Sequence, residues 1–578
     1  MNDPTLEAIE WFEVEVRHGT LKGFFDIAQL VSVFKRMRPS LHRYCENDAV
    51  IDVEALLYTT ARLPEGIHEV REILLQNSVS SDFPSLPGIQ PLRSPSRRRA
   101  SFRIGPETII IVVREEITEL LDLMSILSSY FIEATKVHRL LAGRPLLDEI
   151  RKVVQADAQA CPEKRNQLMA RLVFELGTTE ELLRRLDTKW GGELFQRLLY
   201  IGEHLPTTFV RMHRAFSDMP ARGPARNWCQ RIADFVEKLS GPEDRPIHII
   251  SSNTHSTVNV LSGYARLHAD EVLAWGRAHS NEPGALELIE RYVNTNHHPN
   301  LIYYLLKGYL RIQPEVRVEK LRYDESLGIT VLPDIFMVGI DCQVIDLSRI
   351  DLDLVDPRLR LDRKRVLEER PVIINFDYAF GEQAGTIIEE LIMSFRKRIH
   401  SFSIMGKAGT VVGERGGIMI PSYLLQQGRD EIYDFPNGNQ LKVEDFSDVV
   451  INSRIYTNGP MLTVLGTVLQ NNAMLSKYRE KWHILGLEME GIPYVRKLHQ
   501  CNKLGYLRED IVINVGYYAS DAPLLPGETL SRELSFAGVD ATYGINIVIL
   551  NKLLGSPRPA KSLDQFQGTE KESLLTRY

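Results

Sequence analysis

The sequence predicts an α/β protein: a C-terminal domain built on a mostly parallel central sheet, preceded by a mainly α-helical N-terminal region. Two patterns carry that reading. From about residue 331 to 555, short apolar runs rich in β-branched residues alternate with amphipathic stretches of helical period. From the N-terminus to about residue 240, apolar residues recur mostly at spacings of three and four, as in Leu120, Leu121, Leu123, Met124, Leu127, Phe131 and Ile132. A length of 578 residues exceeds one ordinary core, so more than one domain is expected. The divisions are a helical domain at 1–240, an α/β or helical connecting segment at 241–330, the α/β domain at 331–555, and a polar, frayed tail at 556–578.

In the helical half, Thr178-Thr179-Glu180-Glu181 reads as a helix start, a hydroxyl cap followed by acids in the first turn. Residues 78–106 interrupt the helical pattern with prolines, serines and the run Arg97-Arg98-Arg99-Ala100-Ser101. That composition buries little, so a flexible loop with solvated arginines is expected, an anion or regulatory site being the functional alternative. The β-branched run 108–113 reads as one strand. In the connecting segment, Ile247-His248-Ile249-Ile250 gives way to a polar turn and a helix. Asn253 and His255 would then sit at a strand's carboxyl end, where α/β ligand sites form, as accessory candidates. The alternative is that they only cap the helix that follows.

In the C-terminal half the expected strands are 372–376, 401–405, 417–420, 449–451, 483–487 and 511–515, and the expected helices 384–398, 460–470, 491–500 and 538–554.

Composition narrows the function classes. A 44% hydrophobic, 25% charged chain is that of a globular protein, and a net charge of −7 gives no general attraction to nucleic acid or anionic membranes. The five cysteines are scattered and never form a CxxC pair, which suggests reduced thiols in a cytoplasmic protein and no zinc site. The best transmembrane candidate, 117–132, is too short and is interrupted by Glu119 and Asp122. The N-terminus lacks the basic and apolar regions of a signal peptide.

Candidate chemistry lies at the ends of the predicted C-terminal strands. Gly406-Lys407-Ala408-Gly409-Thr410 is expected to be a turn whose backbone approaches an anion or sugar, with Lys407 meeting a phosphate or projecting to solvent. It lacks the spacing of a P-loop, which argues against ATP hydrolysis by that route. A second strand-to-helix turn runs from Phe376 through Gly381 and Glu382. Further on stand Leu487-Glu488-Met489-Glu490-Gly491 and Ser520-Asp521, acids at the ends of two apolar runs.

Together these motifs support a comparison. The order strand, Phe380-Gly381-Glu382-Gln383-Ala384, strand, Gly406-Lys407-Ala408-Gly409, Gly416-Gly417-Ile418-Met419-Ile420-Pro421, Glu488-Met489-Glu490-Gly491, Ser520-Asp521 resembles the purine nucleoside phosphorylase and nucleosidase superfamily across roughly 331–555. The layout, with a helical region in front, is similar to the AMP nucleosidase family. The resemblance implies that Met489 and Glu490 hold ribose, and that Asp521, positioned by Ser520, protonates the purine at N7. It places Tyr456 and Met461 where relatives contact base and sugar, although either residue fits a packed core equally well. One of Glu488 and Glu490 is expected to satisfy helix amides while the other binds substrate. No metal or organic cofactor is required, and a homo-oligomer is implied.

Two departures bear on the reaction. Ile404 stands where phosphorylases of the superfamily carry an arginine, and Gly409-Thr410 replaces their Gly-Gly. Water is therefore expected as the nucleophile, and the expected function is hydrolysis of the N-ribosidic bond of a purine nucleoside or nucleotide. The alternatives are a phosphate-dependent phosphorylase and a non-catalytic nucleotide-binding sensor or assembly protein. In either catalytic reading Asp521 must be protonated near neutral pH, which burial can achieve.

Overall fold

The computed structural model describes residues 4–77, 79, 83–93, 99–113, 117–155, 162–212, 223–240, 244–279, 285–296, 298–429, 431–525 and 536–555. The expected tail at 556–578 lies outside them. Their strands form two sheets, each interleaved with helices, so the class is mixed α/β.

The smaller sheet belongs to the N-terminal half. Its strands are β1 (Phe24–Phe25), β2 (Glu72–Gln76), β3 (Gln90–Leu92), β4 (Ser101–Arg103), β5 (Thr108–Val112) and β6 (Phe209–Met212), in the order β1-β6-β2-β5-β4-β3. Sequence patterning anticipated only β5 there, because strands of two to five residues are too short to establish a period. Residues 78–106, expected as a loop, contain β3 and β4, paired antiparallel with Gln90 opposite Arg103. The strand is fixed by burial: Ser101 and Phe102 are buried, and the Phe102 ring packs edge-on to Phe83 at 5.3 Å.

The helix Ile117–Leu141 is buried on nearly every side. Such a helix belongs in a core, and this one lies in an apolar cluster that also takes in Val464, Val468 and Leu487 from the C-terminal half. The halves are also joined by hydrogen bonds: Asn471 donates to the carbonyls of Met37 and Arg38 at 3.2 and 2.8 Å, and Ser40 to Asn472 at 2.6 Å. No helix of the described residues is long and apolar enough to cross a membrane.

The larger sheet comprises β7 (Ile247–Ser251), β8 (Ile329–Leu332), β9 (Cys342–Asp346), β10 (Val372–Phe376), β11 (Ile399–Thr410), β12 (Ile418–Met419), β13 (Tyr423–Gln426), β14 (Ile432–Asp434), β15 (Ile455–Tyr456), β16 (Met461–Thr463), β17 (Gly486–Glu488) and β18 (Val512–Asp521). Its main path is β14-β13-β16-β17-β11-β7-β10-β9-β8, with β18 paired to β11 and β12. The sheet is mixed, which corrects the expectation of a mostly parallel one. The run β10, β7, β11, β18 is parallel, while β9 on β10, β17 on β11 and β12 on β18 are antiparallel. β7 is a central strand, with Ile249 opposite Ile374 on one side and Phe402 on the other.

Two local expectations fail for physical reasons. Residues 460–470 contain β16 rather than a helix; Met461 and Leu462 are wholly buried, and a short run buried on both faces has no helical or strand period to read. Residues 449–451 are not a strand. The amides of Ile451, Asn452 and Ser453 turn instead onto the Asp540 carboxylate at 3.1, 2.9 and 3.0 Å.

Candidate active site

β11 and β18 lie side by side in parallel, so their carboxyl ends finish together. The register runs Gly406 opposite Tyr517 and Ala408 opposite Ala519, then shifts so that Gly409 faces Asp521. Gly406 to Thr410 is therefore the end of a long strand, not the expected turn. The glycines are there for close approach. A Cβ on Gly406 would sit 2.2 Å from the Tyr517 ring, and one on Gly409 would sit 2.9 Å from Asp521 Oδ2.

The Ser520 hydroxyl lies 2.5 Å from Asp521 Oδ1 and 3.2 Å from the Ala408 carbonyl, and Arg415 Nε donates to the Ser520 carbonyl at 2.9 Å. These bonds fix the carboxyl at the strand end. Burial raises the pKa of Asp521, while the hydroxyl of Ser520 and the charges of Lys407 and Arg415 pull partly against it.

The second acidic motif connects β17 to the helix Gly491–Lys503. Glu488 is buried and committed to structure: one carboxylate oxygen accepts the Thr463 hydroxyl, the other the amides of Glu490 and Gly491 at 2.7 and 2.5 Å. Those amides are orphan donors of a helix start, so Glu488 does the work of a cap from the strand side. Glu490 is also buried, and its carboxylate accepts the Met489 amide at 3.2 Å. Burial raises both pKa values, and for Glu490 the neighbouring Glu488 carboxylate adds repulsion.

Both motifs open into one cavity of about 370 Å³, within the range of small-molecule sites. Of the residues expected from sequence, Lys407, Ala408, Gly409, Glu488, Met489, Glu490, Ser520 and Asp521 line it. Six others do not. Gly406 lies beneath the Tyr517 ring. Gly381 has φ +56° and would drive a Cβ into Thr118 at 2.3 Å, so its role is to let the helix Ile117–Leu141 approach. Tyr456 packs over Gly413 and Gly417, and Met461 is core. Asn253 accepts the Ser256 amide at 3.1 Å and with His255 forms the start of the helix His255–Ser262. Glu382, next to Gly381, pairs with Arg496.

Sequence reasoning missed several lining groups. Tyr378 and Phe380 come from the turn after β10 and Gln383 from the first turn of the helix Glu382–Phe395, where it is anchored to the Val338 carbonyl at 2.8 Å. The signal for Tyr378 and Phe380 was aromatic residues at a strand's carboxyl end. Tyr58, Arg62, Arg99 and Glu119 come from the N-terminal half. Only Arg99 had a signal, the arginine run. It is buried rather than solvated, paired with Glu119 at 3.2 Å and Asp122 at 2.7 Å. Among the described residues, no group of three or more His, Cys, Asp or Glu is placed to hold a metal ion.

One family model matches the chain over residues 27–555, both halves and the cavity included. The chain belongs to the family of unknown function DUF6909. No curated protein sequence matches this DUF6909 chain. Solved structures it resembles include the 5′-methylthioadenosine/S-adenosylhomocysteine nucleosidase of Campylobacter jejuni, at 11% identity, TM-score 0.29, covering 54% of this chain and 98% of that one. The Neisseria meningitidis nucleosidase of the same name, bound to methylthio-immucillin-A, matches at 10% identity and TM-score 0.29, covering 41% and 95%. Uridine phosphorylase of Schistosoma mansoni with thymidine matches at 14% identity and TM-score 0.25, covering 31% and 70%. At such scores no residue role passes from those proteins to the DUF6909 chain.

Proposed function

We propose that this protein is an N-ribosyl hydrolase that cleaves the glycosidic bond of a purine nucleoside or nucleotide. The observation that carries the reading is the convergence on one cavity of Asp521, held by Ser520, and Glu490, held beside Met489, with the carboxyl pKa of both acids raised by burial. Cleavage of the bond between C1′ and N9 sends its electron pair to the base and leaves oxocarbenium character on the sugar. Asp521 gives its proton to N7 of the departing purine, and Glu490 accepts the ribose hydroxyls beneath the developing cation. Water adds to C1′ through oxygen and releases a proton, which restores the acid. Glu488 acts through Glu490 by fixing the helix start that carries it.

Water is favoured over phosphate by the position of Ile404, which is buried in the core and offers no charge to an anion. The test is base release from a panel of purine nucleosides and nucleotides, followed chromatographically with and without inorganic phosphate. Hydrolysis gives free base and ribose or ribose phosphate at the same rate in both. A strict phosphate requirement would replace this reading with phosphorolysis.

A further inference from the structure

We propose that the N-terminal half supplies an anion subsite to this cavity, in which Arg62 and Arg99 hold a phosphoryl group carried by the substrate, so that phosphorylated ribosides are preferred over unphosphorylated ones. The assignment deepens the hydrolase reading and rests on it for the sugar.

The anchor is Arg99. Its side chain is 5% exposed, with Nε and Nη2 committed to Glu119 Oε1 at 3.2 Å, the Glu119 carbonyl at 3.2 Å and Asp122 Oδ2 at 2.7 Å. Nη1 is buried and has no hydrogen-bond partner among the described residues. A buried guanidinium N–H without an acceptor is costly, and here the same side chain is part of the cavity lining. The two acids that grip Arg99 leave its fork no freedom to turn away, which is the preorganisation an anion site needs.

Arg62 stands on the same lining. Its guanidinium lies 3.6 Å from the Tyr58 ring centroid, and Nη1 donates to the Tyr58 carbonyl at 3.1 Å, so this second fork is held by stacking. Tyr58 lines the cavity too, and its Oη is buried, likewise without a partner among the described residues. With Lys407, three cationic side chains line the space. Opposing them are Glu119, which with Asp122 is bound to Arg99, and Glu488, Glu490 and Asp521, whose carboxyl pKa values burial raises. The gathering of Arg62, Arg99 and Lys407 on one lining is what suits it to an anion. A riboside acquires one by esterification with phosphate, whose oxygens suit two guanidinium forks.

The same chemistry could be met by free phosphate, and the test separates the two sources. Binding of ribose 5-phosphate, ribose and inorganic phosphate is measured by calorimetry on the full chain, as wild type, Arg62→Gln and Arg99→Gln. The expected result is a preference for ribose 5-phosphate over ribose of roughly tenfold or more, which each variant cuts by roughly tenfold. Arg62→Gln leaves the Arg99 ion pairs intact, so it tests the subsite even if Arg99→Gln fails to fold. The proposal is overturned if the wild type shows no preference, or if Arg62→Gln leaves the preference unchanged. It is also overturned if inorganic phosphate is required for base release from an unphosphorylated nucleoside, since the subsite would then hold the nucleophile. A phosphate preference without any base release would remove the hydrolase reading and leave the subsite standing.

Discussion

Gly409 and Asp521 face each other across the β11–β18 ladder just beyond its register shift, with room for a hydrogen and no more between them. The glycine is thus part of the acid's seat. Replacing it with alanine puts a Cβ 2.9 Å from Asp521 Oδ2 and 3.1 Å from the Pro523 ring, so the carboxyl must shift. Gly409→Ala is expected to lower kcat/KM by roughly tenfold to a hundredfold, read by steady-state kinetics beside a melting curve that moves little.

Gly406 answers to packing instead. Its Cβ position is 2.2 Å from two Tyr517 ring atoms, and that ring is fully buried. Gly406→Ala is expected to destabilise the fold by about 1–3 kcal/mol. Gly105→Ala, whose nearest atom would be 3.6 Å away, serves as the neutral control in the same denaturation series.

Arg99 pairs with the buried carboxylates of Glu119 and Asp122, and its removal takes that ion pairing from both. Arg99→Met is expected to cost about 3–5 kcal/mol in chemical denaturation. Combining it with Glu119→Gln and Asp122→Asn should recover part of the loss, because the penalty belongs to buried charge that has lost the Arg99 ion pairs and not to lost shape.

Asp521 has a folded-state pKa raised by burial, so its acid form persists to higher pH than that of an ordinary aspartate. The rate profile of kcat/KM is expected to fall as pH rises through that value, the proton donor being lost. Stability moves the same way. Below the unfolded-state pKa both states hold the proton and nothing is gained or lost; as pH climbs through the raised folded values of Asp521, Glu488 and Glu490, the buried carboxyls must charge and stability falls. Glu490→Gln should therefore raise the melting temperature near pH 8 and change it little near pH 4.

Asp521→Asn keeps the shape and removes the proton. It should lower kcat by about 10²–10⁴ while a bound purine riboside is retained in calorimetry. If turnover is unchanged, Asp521 is not the acid.

The acids were legible because each motif is contiguous and stands where an apolar run ends, and Glu490 and Asp521 do meet in one cavity. The glycine motif was legible as a place of close approach but not as a strand, since the Tyr517 ring that explains Gly406 lies on a neighbouring strand that no local pattern pairs with it. β16 was read as helix because its two buried faces carry no period. Arg62 and Tyr58 were invisible because only tertiary packing of the N-terminal half brings them to the cavity, and a lone arginine after a helix has no signature. Arg99 was visible as part of a charge run, yet its burial depends on Glu119 and Asp122, which the sequence offered only as interruptions of an apolar stretch.

The most direct test of the central claim is a crystal structure of Asp521→Asn with a purine riboside in the cavity. The ribose hydroxyls are expected on Glu490 and the N7 edge of the base facing residue 521. A ligand bound with its sugar away from Glu490, or its base away from residue 521, would contradict it.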